Sequence, residues 1–230
     1  MASTGLQTIV NFCNSMQIDR RNVVGIQITR NEIPRVSLTP TYNPWRIKLE
    51  MPNSFKYYEA RALMEQIDTL DRYTPQLITF SNLPQLNWIF AYQGTMSSTQ
   101  INAVRVNSFV GTTLILQNLP TVPSTRVLFE PNDLIQIGNN PYPFTVTSQV
   151  LRGSAGTVTV TTHRPNIITT NVVNSGIKVG NTCEFYMFCP NMPVYKLIPG
   201  GQTMLRGQVI SNALIEWSDN FQLYEWVATA

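Results

Sequence analysis

At 230 residues the chain is long enough for one large or two modest domains. Hydrophobic residues make up 43% but charged residues only 13%, against ~25% in an average globular domain; Asn, Gln, Ser and Thr must therefore carry the polar surface, which suits a subunit packed against neighbours better than a free monomer. A net charge of +3, with its densest basic spot diluted as Asp19-Arg20-Arg21, gives no footprint for direct nucleic-acid recognition, and no apolar run approaches the ~18–20 residues of a membrane-spanning helix.

The first residues, Met1-Ala2-Ser3-Thr4-Gly5, have neither the basic nor the long apolar region of a secretory signal. In that context the odd set Cys13, Cys183 and Cys189 is expected as reduced, buried or half-buried thiols. In one continuous strand Cys183 and Cys189 would face the same side, yet at ~3.3 Å per residue they lie too far apart to bond. They lack a CxxC spacing and the one histidine, His163, lies well upstream, so no zinc site is expected.

Residues 8–51 read mostly as strands. Val24, Ile26 and Ile28 alternate with Gly25, Gln27 and Thr29, and Trp45, Ile47, Leu49 and Met51 alternate with Arg46, Lys48 and Glu50. Both are the period-two pattern of a half-buried strand. Asn31-Glu32-Ile33-Pro34 supplies a turn between them. Pro40 and Pro44 favour extended or edge backbone. The period then changes: Phe55, Tyr58, Ala62, Leu63, Ile67 and Leu70 recur at steps of three and four, predicting one amphipathic helix over about 54–72. Pro52-Asn53-Ser54 provides its start, and Pro75 prevents it from running on. Arg61 with Glu65 and Asp68 with Arg72 are spaced to pair on its exposed face. Strand character resumes at Gln76–Phe80, and Thr95–Gln100 reads as a polar joint.

After Gln100 the texture shifts to short strands at Ala103–Phe109, Thr112–Leu116, Leu134–Ile137, Phe144–Val150 and Thr157–Thr162. Turns fall at Val110-Gly111, Gly138-Asn139-Asn140-Pro141 and Gly153-Ser154-Ala155-Gly156. This spacing suggests a small barrel or sandwich. The strands from about 203 to 227 are expected to return to the first sheet. The predicted organisation is thus a sheet-plus-helix domain of 1–100 with 203–230, and an inserted small β module of 101–202.

No GxSxG, HExxH or GxxxxGK[ST] motif appears. His163 follows a β run and directly precedes Arg164-Pro165, which favours a structural role over a Ser–His–Asp or Cys–His site. Glu65 and Asp68 read as a solvated helix face. Glu130 and Asp133 lack the oxygen-rich loop that calcium prefers, and Asn132-Asp133 reads as turn chemistry. Neither a catalytic site nor a cofactor is expected.

Three segments carry a resemblance. The ending runs through Asn181-Thr182-Cys183-Glu184-Phe185-Tyr186-Met187, Met192-Pro193-Val194-Tyr195-Lys196-Leu197-Ile198-Pro199-Gly200-Gly201 and Ile215-Glu216-Trp217-Ser218-Asp219-Asn220-Phe221-Gln222-Leu223-Tyr224-Glu225. It resembles the last stretch of tail and baseplate proteins of contractile-tailed bacteriophages. The middle, Phe129-Glu130-Pro131-Asn132-Asp133-Leu134-Ile135-Gln136-Ile137-Gly138, then Pro141-Tyr142-Pro143-Phe144-Thr145-Val146-Thr147, Val150-Leu151-Arg152-Gly153-Ser154 and Val158-Thr159-Val160-Thr161-Thr162-His163-Arg164-Pro165, is similar to small β modules of tail-tip and baseplate components. The N-terminal strand–strand–helix–strand block looks like the fold of tail-tube, distal-tail and hub proteins. The similar segments together span most of residues 22–227.

The resemblance implies a mainly-β fold: a tube-type β-sandwich or split barrel with one amphipathic helix, plus a small β-barrel or sandwich module. It implies a structural, non-enzymatic virion component of the tail, in the baseplate or distal tail, assembled in the host cytoplasm and linking tube, hub or wedge parts. Its partners would be other tail and baseplate proteins, in a homo-oligomeric ring or a hetero-oligomeric assembly. The candidate interface residues are Trp45, Arg46, Tyr57, Tyr58, Trp88, Tyr92 and Trp226, aromatics and an arginine of the kind that anchors interfaces; as bulky core-fillers, the same aromatics also suit the interior. Two other readings remain open. A carbohydrate-binding β module of a host-recognition apparatus would place Trp88, Tyr92 or Trp226 in a shallow groove with Asn and Gln beside them. A virion-associated hydrolase would gather carboxylates distant in sequence into a cleft.

Overall fold

The computed structural model describes residues 5–20, 24–28, 34–38, 43–52, 55–68, 74–81 and 87–227. The chain is mainly β, 40% strand and 13% helix in several small sheets, with no closed barrel among the described residues. It divides into two compact units: Met1–Asp19, Trp45–Ile78 and Tyr186–Trp226 form the first, and Arg20–Pro44, Thr79–Phe185 and Val227–Ala230 the second. These boundaries differ from the expected division into 1–100 with 203–230 and 101–202. The segments 20–44 and 79–100 group with the module, and 186–202 with the sheet-plus-helix region.

The first unit is built on a five-stranded sheet in the order Ser15–Asp19, Arg46–Glu50, Phe221–Glu225, Glu184–Phe188, Gln76–Thr79. The C-terminal strand lies beside Arg46–Glu50, antiparallel, with Leu223 opposite Ile47 and Phe221 opposite Leu49. The alternation Arg46-Ile47-Lys48-Leu49-Glu50 sends Ile47 and Leu49 inward, and Phe221 and Leu223 follow the same rule. Each buried side chain of this size contributes about 1.5–3 kcal/mol. Register is pinned at the strand end, where the buried Glu225 carboxylate accepts from the Trp45 N–H at 3.0 Å and the Glu225 N–H donates to the Trp45 carbonyl at 2.9 Å.

Among the described residues, two helices belong to this unit. Residues 8–12, expected as strand, lie in a helix, Gly5–Phe12. Leu6, Ile9 and Val10 recur at the i, i+3, i+4 positions of one helical face and are buried. The Gln76 side chain accepts from the Leu6 N–H at 3.1 Å, satisfying one of the donors a helix start leaves open. The second helix, Tyr57–Asp68, falls inside the expected 54–72. It begins later than expected because Phe55–Lys56 is a short strand paired with Leu214 and Ile215. Ala60 and Met64, four apart, pack on Ile215. The side chains of Ala62, Leu63 and Ile67, and residues Leu70 and Arg72, lie outside the described residues.

From the strands Tyr195–Ile198 and Leu214–Trp217 the chain continues as a two-stranded ribbon, Gln202–Leu205 against Gln208–Ser211. Its turn is the two-residue loop Arg206-Gly207, both at positive φ (50° and 80°). That is the backbone of a type I′ hairpin, matched to the right-handed strand twist.

The second unit holds a large hydrophobic cluster around Leu114, Leu128, Phe129, Ile135 and Phe144, and several small sheets. One sheet runs Val158–Thr161, Thr113–Gln117, Arg105–Val110; another runs Phe144–Thr145, Leu134–Ile137, Ile177–Val179; Val150–Leu151 pairs with Val127–Phe129. The expected strand Phe144–Val150 is broken in two, with Val146 making only an isolated bridge to Thr162. Val127–Phe129 is a strand that the turn signals did not disclose. The expected polar joint of 95–100 includes the start of a third helix, Ser98–Ala103. Its capping box is visible in the letters Ser97 and Gln100: the Ser97 hydroxyl accepts from the Gln100 N–H at 3.3 Å, and the Ser97 N–H donates to the Gln100 side chain at 2.9 Å.

Arg20–Pro44 joins this unit through both of its ends. Arg20 donates to the Thr145 hydroxyl and, at 2.6 Å, to the Asn132 side chain. The fully buried Arg164 donates to the carbonyls of Asn43 at 3.3 Å and Pro143 at 3.0 Å, with its guanidinium 5.1 Å from the centre of the Phe144 ring. Between these ends Val24–Ile28 pairs antiparallel with Pro34–Leu38. The expected turn at Asn31–Ile33 lies outside the described residues.

Candidate binding face

The inward alternation of the five-stranded sheet leaves an outer face of different chemistry. Cross-strand register assembles it in rows: Gln17, Lys48 and Gln222 in one, and Asp19, Arg46, Tyr224 and Phe188 in the next. Arg46 and Asp19 form a half-exposed ion pair at 2.7 Å. The Ser15 hydroxyl donates to Glu50 at 2.8 Å, and the Tyr224 hydroxyl to the Gln222 amide oxygen at 3.1 Å. Phe188 sits 6.1 Å from the Tyr224 ring and meets the Trp226 ring edge-on at 5.4 Å. The main chain holds Trp226 there, its N–H donating to the Tyr186 carbonyl at 2.8 Å. A depression of about 180 Å³ opens on this face, lined by Gln17, Asp19, Arg46, Lys48, Gln222 and Tyr224 among others.

The seven candidate interface residues take different environments within their own units. Trp45 is 1% exposed and belongs to the core of the first unit; its place in the alternation sends it inward with Ile47 and Leu49, so it is not a surface residue. Arg46 lies on the outer face, and Trp226 at its aromatic edge. Tyr57 is half-buried against Ala60, Met64 and Ile215, and Tyr58 is half-buried on the same helix. Trp88 is 67% exposed. Tyr92 packs on the second unit's core with its hydroxyl donating to the Leu128 carbonyl, and burial pushes that phenol up to about 12. Sequence reasoning missed Phe188 and Tyr224, although the alternation Tyr186-Met187-Phe188 against Gln222-Leu223-Tyr224 places both opposite the buried row.

His163 and Asp133, weighed for chemistry, serve the fold of the second unit. His163 accepts the Thr145 N–H at Nδ1, 2.9 Å away. Burial, then the neighbouring charges of Arg164 and Arg20, hold its pKa down at about 3, so the ring is neutral and a weak base. Asp133 is buried and binds the turn around it, accepting from the N–H groups of Gln93 and Glu130, each at 2.8 Å. Burial raises its pKa, and the backbone donors oppose that shift. Asn132 before it takes φ of 73°, a conformation asparagine tolerates. Among the described residues no group of three or more His, Cys, Asp or Glu is placed to hold a metal ion. Cys13, Cys183 and Cys189 are buried free thiols, and burial pushes those of Cys13 and Cys183 up, away from the reactive thiolate.

A second, larger hollow of about 580 Å³ lies in the second unit beside Arg105, Ser175 and Lys178. Its two cations are engaged locally: Arg105 donates to the carbonyls of Asn102 at 2.5 Å and Val104 at 2.8 Å, and Lys178 pairs with Glu184 at 2.8 Å.

Compared with known proteins, the chain matches no family model, and no curated protein matches it in sequence.

Proposed function

We propose that this chain is a structural, non-enzymatic subunit of a bacteriophage tail, in the baseplate or distal tail, which joins tube, hub or wedge parts through protein–protein contacts. In this reading its sheet is of the tube type, its place is the virion, and it assembles in the host cytoplasm. The observation that carries the assembly role is the ribbon that follows Val194. Met204 and Val209 are 66% and 62% exposed, and Val194, Leu197, Ile198 and Leu205 are exposed with them. A free monomer rarely displays so many large apolar side chains along one short segment, and such a stretch marks a contact surface. The low overall charge points the same way.

Light scattering on the eluting size-exclusion peak, with negative-stain images of the same fraction, tests this. Rings or another defined oligomer are expected, and Met204→Lys with Val209→Lys should dissolve them. Partner capture by purified tail components covers the hetero-oligomeric form. A dilution-stable monomer that also binds no tail component would overturn the reading.

A further inference from the structure

We propose that the outer face of the five-stranded sheet binds a neutral oligosaccharide, with the row Gln17, Lys48 and Gln222 hydrogen-bonding ring hydroxyls and Tyr224 presenting its ring to the C–H-rich side of the sugar. This site stands independently of the assembly reading, because it uses none of the ribbon residues.

Three observations converge on this ligand class. The first is charge. Arg46 and Lys48 are balanced by Asp19 and Glu50 on the same face. A nucleic-acid strand needs a net cationic track to replace its counterions, which this face does not offer. An acidic glycan would need the same excess. The second is donor and acceptor geometry. Register places the amides of Gln17 and Gln222 on either side of Lys48, so donors and an acceptor repeat at the strand spacing of about 4.8 Å. The Gln17 carboxamide offers both a donor and an acceptor in one plane, which matches two neighbouring hydroxyls that each give and take, while Gln222, whose amide oxygen takes the Tyr224 hydroxyl at 3.1 Å, offers its NH2 group as donor. The third is the aromatic edge. Tyr224 lines the depression, and its ring lies tilted beside Phe188, 6.1 Å away, which Trp226 in turn meets edge-on. A ring already fixed by its neighbours loses little freedom when a ligand stacks on it. The depression, about 180 Å³, has room for a single sugar ring at its centre, with the flanking rows open to the units on either side.

The experiment is calorimetric titration of the full chain with maltotetraose, cellotetraose and chitotetraose, with oligo-dT as the polyanionic contrast. Saturable binding of at least one tetrasaccharide is expected, with little response to added salt. Gln222→Ala and Tyr224→Ala should each weaken it by about 10-fold or more, as truncation of a central contact does. Gln222 is exposed, so its variant should keep the parent's thermal unfolding profile, and Trp88→Ala should leave binding unchanged. Failure of all three sugars to saturate would overturn the proposal. So would unchanged affinity in both variants, or binding of oligo-dT alone with a steep fall in salt. Oligomers that dissociate in Gln222→Ala while no sugar binds would assign the face to a second copy instead. The ribbon variants Met204→Lys and Val209→Lys separate the two ideas: they should abolish assembly and leave sugar affinity intact.

Discussion

The strand Thr113–Gln117 and the ribbon Gln202–Ser211 are made of the same kinds of residue and end in opposite environments. In the first, Leu114 and Leu116 are fully buried against Val106, Val160 and Phe129 in the core of the second unit. In the second, Met204, Leu205 and Val209 stand in solvent, although the pairing is as regular and the turn as well formed. Hydrogen-bonded pairing therefore does not decide burial; a covering layer does. Where the chain supplies that layer itself, the strand becomes core. The ribbon's exposed apolar residues are what a neighbour would cover in the proposed assembly.

The contrast can be broken most sharply at the core. Phe129→Ala should cost about 3–5 kcal/mol in denaturant unfolding, as deletion of a fully buried aromatic does. A loss below ~1 kcal/mol would mean that the core tolerates a void as the ribbon would. The next largest effect is that of pH. The unfolded His163 imidazole takes a proton near the ordinary value of 6.5 and the folded one near 3, so the unfolded chain binds the extra proton across that window. Stability should hold above about 6.5 and fall as pH drops toward about 3. His163→Gln should flatten this slope in a thermal-shift series; an unchanged slope would show that the ring is not the group responsible. Ser97→Ala should remove the capping box of Ser98–Ala103 and lower stability by about 1 kcal/mol. Smallest of all, Met204→Lys and Val209→Lys should each change monomer stability by less than ~0.5 kcal/mol, because neither side chain is buried within the chain. A larger loss would show that the ribbon belongs to the folding unit and is not a surface feature.

The outer face was only partly legible in the letters. Arg46 and Trp226 stood out as residue types. Their neighbours Gln17, Lys48, Gln222, Tyr224 and Phe188 come from segments far apart in the chain, and only antiparallel register sets them in rows. Trp45 shows the reverse error. Its size marked it for an interface, but its parity with Ile47 and Leu49 sends it inward, and parity is the stronger guide in a strand. The helix Gly5–Phe12 was readable from Leu6, Ile9 and Val10, yet the stretch is short and lies next to alternating segments that suggest strand.

By itself, the sequence determined the strand alternation, an amphipathic helix within about 54–72 and the glycine turns. Each depends on forces acting within a few residues: side-chain direction, backbone sterics and local capping. The tertiary structure alone decided that Arg20–Pro44 joins the second unit and that Asn43 and Pro143 satisfy a buried arginine. It also decided that His163 stays neutral, and that a charge-balanced, aromatic-edged face lies over a buried hydrophobic row. Those outcomes depend on which distant segment supplies the partner for a buried charge or the cover for an apolar face, and no local pattern carries that information.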